Sequence, residues 1–165
     1  MAKESSFDIV STVDIQEVDN AFQQAKREIL QRYDLKDSGA EIILDKQNKT
    51  LGIHAPADFV ARQVKDVIGS KLVKRGIELT AVKWGEPQAA TGQSVRLSAT
   101  IVDGIDKETA SKISKDIRNL KLKCKATIEG DKLRVSSASR DTLQEVIAFL
   151  KGQDYGQPLQ YTNYR

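Results

Sequence analysis

A long amphipathic stretch, residues 14–36, reads DIQEVDNAFQQAKREILQRYDLK and organises the first half of the chain. Its apolar residues recur at intervals of four, three and four, which places them on one face of an α-helix. These residues are Val18, Phe22, Ala25 and Ile29. Asp14, with Glu17 three residues later, is typical of a helix N-terminus, where carboxylates accept hydrogen bonds from free backbone N–H groups. The stretch predicts a helix whose apolar face covers a sheet.

Working outward from this helix, β-branched and alternating segments predict the strands of that sheet. The first half is predicted to contain a strand at 7–13, the helix at 14–36, a hairpin of strands 41–45 and 50–55, a helix at 58–75 and a strand at 79–84. The order of elements is therefore β-α-β-β-α-β. Residues 85–93, GEPQAATGQ, have the small and polar composition of a linker.

The second half repeats the same order of elements. It is predicted to contain a strand at 94–102, a helix at 106–120, strands 125–129 and 132–136 joined at Gly130 and Asp131, a helix that begins at Ser139, and a strand at 159–163. The fold class is thus α+β, with two ferredoxin-like (RNP-like) units at residues 1–84 and 94–165. Each unit is expected to have an antiparallel sheet with both helices on one face and the other face open.

Composition narrows the class of protein. The chain has 165 residues, of which 39% are hydrophobic and 30% charged, as in a soluble globular protein. No apolar run approaches the roughly 20 residues that span a bilayer, and the N-terminus lacks a signal-peptide pattern, so no membrane partner and a cytoplasmic location are expected. The net charge is +3. Residues 1–85 carry 13 Lys/Arg and 13 Asp/Glu, whereas residues 86–165 carry 13 and 10, so the excess lies in the second half.

The motifs of common enzymes are absent from the sequence. There is no phosphate-binding P-loop, no dinucleotide-binding glycine pattern and no nucleophile with an evident base. One cysteine, Cys124, and one histidine, His54, do not make a zinc site. We therefore expect a protein that is not an enzyme and holds no metal or cofactor.

The open sheet faces provide the first candidate binding residues. Alternation along the strands turns a set of cations outward, and these are Arg96, Lys125, Lys132 and Arg134. His54 lies outward on the third strand of the first half. RNA-binding modules of this shape stack bases on aromatic residues of the central strands, but none is present at those positions. The pattern favours phosphate contact over base stacking; the alternatives are a face that is only solvated or one that the other half covers.

The end of the opening helix provides the second candidate. Arg32, Tyr33 and Lys36 offer a guanidinium, a ring and an ammonium group, the combination that binds a phosphate and a base. The alternative is an ordinary helix C-terminus, where cations are favourable in any case.

Four segments, taken together and in this order, resemble the bacterial YajQ family. They are SFDIVS at 6–11, RYDLK at 32–36, SKLVKRG at 70–76 and PLQYTNYR at 158–165. Two positions depart from the family pattern, since Leu35 stands where Phe is usual and Asp37 where Gly is usual. The resemblance implies tandem RNP-like halves in a cytoplasmic bacterial protein that binds a nucleotide or nucleic acid. Some members of the family are similar to cyclic di-GMP effectors that act through a transcription regulator.

The resemblance also implies that the two halves exchange their first strands, although a linker of this length permits either connection. Exchange would bring Arg96 near Gly52 and His54, and Asp8 and Thr12 near Lys132 and Arg134. The leading hypothesis is a non-enzymatic protein that binds nucleotides or RNA through basic sheet faces and the cleft between the halves. The alternatives are a cyclic dinucleotide effector that binds a transcription regulator, and a module that binds only proteins.

Overall fold

The computed structural model describes residues 4–165; residues 1–3 of the predicted first unit lie outside this range. In chain order the elements are β1 (Ser5–Val10), α1 (Ile15–Gln31), β2 (Glu41–Asp45), β3 (Thr50–Ala55), α2 (Asp58–Lys74), β4 (Val82–Trp84), β5 (Gln88–Ala89), β6 (Val95–Ile101), α3 (Lys107–Asn119), β7 (Lys125–Glu129), β8 (Lys132–Ser137), α4 (Arg140–Lys151) and β9 (Gln160–Thr162). A single 3₁₀ turn, Leu79–Ala81, precedes β4.

The chain forms two compact units. One comprises residues 13–102 and is called the central unit; the other combines residues 4–12 with residues 103–165 and is called the terminal unit. The central unit has strand order β2-β3-β6-β4, with β5 also paired to β6, and the terminal unit has the order β7-β8-β1-β9. All strand pairs in both sheets are antiparallel. The predicted α+β class with two ferredoxin-like halves is confirmed.

The first strands are exchanged between the two sequence halves. β1 pairs with β8 of the second half, with Phe7 opposite Val135, and β6 pairs with β3 of the first half, with Leu97 opposite Ile53. Each exchanged strand contributes buried apolar side chains to the sheet that receives it, as Phe7 and Leu97 show. The compact units therefore do not coincide with residues 1–84 and 94–165.

Helix α1 follows its predicted face but ends earlier than predicted. Asp14 caps its N-terminus and accepts from the Gln16 N–H group at 3.0 Å. The buried residues of α1 are Val18, Ala21, Phe22, Ala25 and Ile29. The helix ends at Gln31, and the chain turns through Arg32, so that Leu35 is 1% exposed. The prediction of a helix to residue 36 was wrong because burial of Leu35 against the core outweighs continued helix formation.

The segment predicted as a linker, residues 85–93, is partly ordered on the sheet. β5 lies in it and pairs with β6, with Gln88 opposite Arg96. The Gly85 N–H group also donates to the Ser98 carbonyl at 2.8 Å. Part of the predicted linker therefore pairs with the edge of β6 and lies beside Arg96 in the sheet. Among residues 4–165, no helix is both long and apolar enough to cross a bilayer.

Candidate nucleic-acid interface

Both sheets have one face turned away from their helices. In β6 the residues alternate strictly, with Leu97, Ala99 and Ile101 buried, while the intervening side chains are exposed. β3 and β8 alternate between buried and half-buried residues in the same way. The predicted outward positions are confirmed, and no aromatic residue lies among those of β3, β6 and β8.

On the central sheet, strand register brings two predicted site residues together. Glu41, His54, Arg96 and Gln88 follow one another across β2, β3, β6 and β5. His54 and Arg96 are therefore direct cross-strand neighbours, although 42 positions separate them in the sequence. Within residues 4–165, Arg96 forms no salt bridge, so its guanidinium is available to an anion.

His54 and Arg96 line a hollow of about 410 Å³ at this end of the sheet. Its remaining lining comes from three segments, namely the α1–β2 connection, the end of β3 and the β5–β6 connection, and is Ser38, Gly39, Ala55, Pro56, Ala90, Thr91 and Ser94. The Ser38 hydroxyl donates to the Leu35 carbonyl, and the Ser94 hydroxyl donates to the Thr91 carbonyl, each at 2.7 Å. These bonds fix the lining loops. The Ser38 hydroxyl oxygen also accepts from the Ala40 N–H group at 3.2 Å, and both hydroxyl oxygens keep a lone pair that can accept a further hydrogen bond. The hollow is therefore open, has a mixed polar and apolar lining, and is of the size of a small phosphorylated ligand.

Gly39 is required in this lining by its backbone conformation. Its φ is +79°, in the left-handed region, and a Cβ atom there would meet no atom within 4 Å. The restriction comes from the backbone and not from space. Asp37, where the family pattern has Gly, is not among the residues with positive φ. The backbone at residue 37 therefore does not need the left-handed conformation that glycine allows.

The open face of the terminal sheet is built around one buried carboxylate. Asp8 is 2% exposed and accepts from Arg134 Nε at 3.0 Å, Lys132 Nζ at 3.3 Å and Asn163 Nδ2 at 2.8 Å. Burial acts to raise the pKa of Asp8, but the hydrogen bonds from these three donors outweigh it and lower the pKa to about 2. Asp8 is therefore ionised near neutral pH and holds both cations.

This arrangement corrects the predicted basic face. Arg96 lies in the central sheet, whereas Lys125, Lys132 and Arg134 lie in the terminal sheet, so the four cations belong to two different sheets. Arg134 Nη1 also lies 3.7 Å from Glu129 Oε1. Two of the three terminal cations are thus neutralised locally. The strand exchange also divides the charge excess, since residues 13–102 carry 13 Lys/Arg and 12 Asp/Glu, and the rest of the chain carries 13 and 11.

The cluster after α1 is only partly available for binding. Arg32 pairs with Asp34 at 2.8 Å and with Glu28 at 3.6 Å, so its charge is compensated on the surface. Tyr33 is 91% exposed, and Lys36 Nζ lies 5.8 Å from the centroid of its ring. A cation over an aromatic face of this kind is weakly attractive. Tyr33 and Lys36 therefore form a separate exposed pair in the central unit.

Sequence reasoning from the residues alone did not single out two parts of these sites. Thr91 belongs to the segment predicted as a linker, and Ser94 was predicted as the first residue of the following strand; both line the hollow because the segment returns to pair with β6. Asn163 has φ +58°, which asparagine tolerates better than most residues. Thr12 does not take part in the hydrogen-bonded cluster around Asp8, because its N–H group and its hydroxyl both donate to Gln160 Oε1, at 2.8 and 3.3 Å. Among residues 4–165, no cluster of His, Cys, Asp or Glu could hold a metal ion.

These features define a class of protein: a tandem of ferredoxin-like units with open sheet faces, one of which carries a hollow of about 410 Å³. The family model described as "nucleotide-binding protein YajQ-like" matches residues 5–165 of the chain. The protein belongs to this family, and the resemblance seen in its sequence motifs is confirmed.

Relatives from several bacteria match the chain over nearly its whole length, and each is named a nucleotide-binding protein. The protein from Chloroherpeton thalassium is 42% identical over 165 residues, which is 100% of both chains. The protein from Koribacter versatilis is 45% identical over 162 residues, 98% of each chain. The protein from Desulforamulus reducens is 46% identical over 165 residues, 100% of this chain and 99% of the relative.

Proposed function

We propose that the protein binds nucleotides or single-stranded RNA without chemical turnover, and that the phosphate lies in the hollow beside Arg96 and His54. One observation carries the proposal: Arg96, which has no ion pair among residues 4–165, lies next to His54, and both line the hollow. The name shared by the relatives points to the same class of ligand.

The chemistry of the hollow suits a phosphate. The planar guanidinium of Arg96 can donate two parallel hydrogen bonds to phosphate oxygens, and a ring N–H of His54 can donate a third. The hydroxyl oxygens of Ser38 and Ser94 can accept from ribose hydroxyls or from base amino groups. Hydrogen bonds to an ionised phosphate are about twice as strong as neutral ones. The phosphate is therefore expected to supply most of the binding energy.

The same face limits what can be recognised. Because the outward positions of β3 and β6 lack Phe, Tyr and Trp, the sheet has none of the large rings on which typical RNA-binding modules stack bases, and His54 is its one ring at these positions. We expect affinity that depends on phosphate and ionic strength, with little preference for base sequence. Local charge balance at Arg32, Lys132 and Arg134 makes those cations secondary contacts.

The test is a fluorescence anisotropy titration of a labelled single-stranded RNA at several salt concentrations. We expect affinity to fall as salt rises, by about 0.7 in log K per log salt for each phosphate neutralised. Arg96→Ala should weaken binding about tenfold at low salt. It should also reduce the salt slope by about 0.7, the amount expected for one phosphate contact. Binding that ignores salt, or an Arg96→Ala variant that binds as well as the parent, would contradict the proposal.

A matched control is available in the same unit. Arg62 lies on α2, is 75% exposed, and pairs with Asp58 at 2.9 Å. Arg62→Ala removes the same charge from a helix surface away from the open face and should change affinity less than twofold. A parallel calorimetric titration with cyclic di-GMP separates a dedicated cyclic dinucleotide site from general phosphate binding. Saturable heat with cyclic di-GMP and none with RNA would replace the RNA proposal.

A further inference from the structure

The outer strand of the terminal sheet has an unpaired edge. β7 lies at one end of the order β7-β8-β1-β9, and among residues 4–165 no strand pairs with its outer side. Ile128 of this strand is 42% exposed, and Lys125 and Thr127 are exposed as well. An exposed edge with a free apolar side chain can pair with another strand unless the sequence prevents it.

The turn that joins β7 to β8 fixes which backbone groups point to that edge. Glu129 pairs with Lys132 across the two-residue turn of Gly130 and Asp131. In such a hairpin the pair that closes the turn is hydrogen-bonded, and bonded and non-bonded pairs then alternate along the strands. The N–H and C=O groups of Ala126 and Ile128 therefore point outward.

β7 has opposite charges at its two ends. The strand reads KATIE, with Lys125 at one end and Glu129 at the other. We propose that β7 pairs antiparallel with β7 of a second copy of this chain, about a two-fold axis at Thr127. Lys125 of each copy then lies opposite Glu129 of the other, and opposite charges placed in this way stabilise a strand pair.

The backbone phase agrees with this register. Pairing about Thr127 places Ala126 opposite Ile128 of the other copy, and both residues have outward N–H and C=O groups. Two such pairs give four hydrogen bonds. Ile128 also gains an apolar neighbour in Ala126 of the other copy, which covers part of its exposed surface. Charge, hydrogen bonding and apolar contact thus select the same register.

The outer edge of β2, in the central sheet, would not bring opposite charges together in a symmetric pair. β2 is also five residues long and reads EIILD, with Ile43 at its centre 62% exposed. The corresponding pairing would place Glu41 opposite Asp45 of the other copy, and like charges directly opposite each other are destabilising. β4 and β9, at the other ends of the sheets, have only three residues each. β7 is the described edge that fits a second copy.

The interface is small, because one five-residue strand from each copy forms it. Contacts of this size belong to the weak, transient end of protein interfaces. The dimer should exchange rapidly with monomer, and its two ion pairs should make it weaker as salt rises.

Sedimentation velocity of the full chain at about 100 μM and low salt tests the pairing, since weak interfaces need high concentration. We expect the parent chain to sediment as a concentration-dependent dimer. Lys125→Glu and Glu129→Lys each place like charges opposite each other, and each should weaken dimerisation about tenfold. The double variant Lys125→Glu/Glu129→Lys restores opposite charges and should dimerise as the parent does.

Mixing the two single variants gives the most specific test of the proposed register. The Lys125→Glu chain has two acids at these positions and the Glu129→Lys chain has two bases, so the mixture should form a heterodimer that neither chain forms alone. Thermal unfolding of each variant shows whether it is folded, and Glu41→Gln on β2 serves as a control that should leave dimerisation unchanged. A monomeric parent, an unchanged single variant or a mixture without heterodimer would each overturn the proposal.

Discussion

The open faces of the two sheets carry similar cations in different states. On the central sheet, Arg96 forms no salt bridge among residues 4–165 and lies beside His54 at an open hollow. On the terminal sheet, Lys132 and Arg134 both bind the buried carboxylate of Asp8. The number of cations on a face therefore does not give its uncompensated charge, which depends on whether a neighbouring strand supplies a carboxylate.

Strand exchange creates this difference. β1 brings Asp8 directly opposite Arg134, whereas β6 brings Arg96 opposite His54. A buried carboxylate is tolerated only when it is paired and hydrogen-bonded, and Asp8 has three donors. Lys132 and Arg134 therefore contribute first to the stability of the terminal unit.

The largest effect is expected from Asp8→Asn, which removes the carboxylate charge that distinguishes the terminal sheet from the central sheet. Removing one member of a buried charge cluster typically costs 3–5 kcal/mol, but Lys132 and Arg134 remain about one third exposed and can be hydrated. We expect a loss of about 2–3 kcal/mol in the free energy of unfolding, measured by urea denaturation. RNA affinity of the folded variant at low salt should rise several-fold, because both cations are released. Unchanged stability would mean that Asp8 is not the centre of the cluster.

The next effect is the pH dependence of stability. The pKa of Asp8 is lowered from 3.8 to about 2 in the folded protein, so its stabilisation is present above the unfolded-state value and is lost as pH falls through the folded-state value. Between about pH 5 and pH 2 the parent should lose about 2 kcal/mol that Asp8→Asn does not lose. Urea denaturation of both proteins across this range measures the difference. Parallel curves would contradict the assignment to Asp8.

A third prediction contrasts the two arginines. Arg96→Ala should weaken RNA binding about tenfold and leave stability within about 0.5 kcal/mol, since Arg96 is exposed and forms no salt bridge within residues 4–165. Arg134→Ala should do the reverse, with a loss of about 1–2 kcal/mol in stability and less than a twofold change in binding. Anisotropy titrations and urea denaturation of both variants are needed. Equal effects on binding would remove the distinction between the two faces.

The smallest effect is expected from Tyr33→Ala. Tyr33 is 91% exposed, and its described ring contact is with Lys36. We expect a change below about 0.5 kcal/mol in stability and less than twofold in RNA affinity. The same two measurements apply. A loss as large as that of Arg96→Ala would extend the binding surface from the hollow to the end of α1.

Much of the local structure could be predicted from the residues. The apolar face of α1 and its cap at Asp14 follow from helical periodicity and from free N–H groups at a helix start. The outward positions of Arg96 and Arg134 follow from the two-residue period of strands. The end of α1 was missed because the burial of Leu35 depends on a core that distant residues build.

The grouping of site residues could not be predicted in the same way. Residue alternation gives the side of a sheet on which Arg96 or Lys132 lies, but it does not give the neighbouring strand. The exchange of first strands was implied by the family resemblance and left open by the linker, and the tertiary structure shows it.

The sequence by itself determined the elements, their amphipathic faces and the family, because periodicity, caps and motifs act over a few residues. Only the tertiary structure decided that Arg96 meets His54 and that Asp8 meets Lys132 and Arg134. The physical reason is that strand pairing joins backbone groups whatever their separation in the chain, and a buried carboxylate then selects the cations nearest to it.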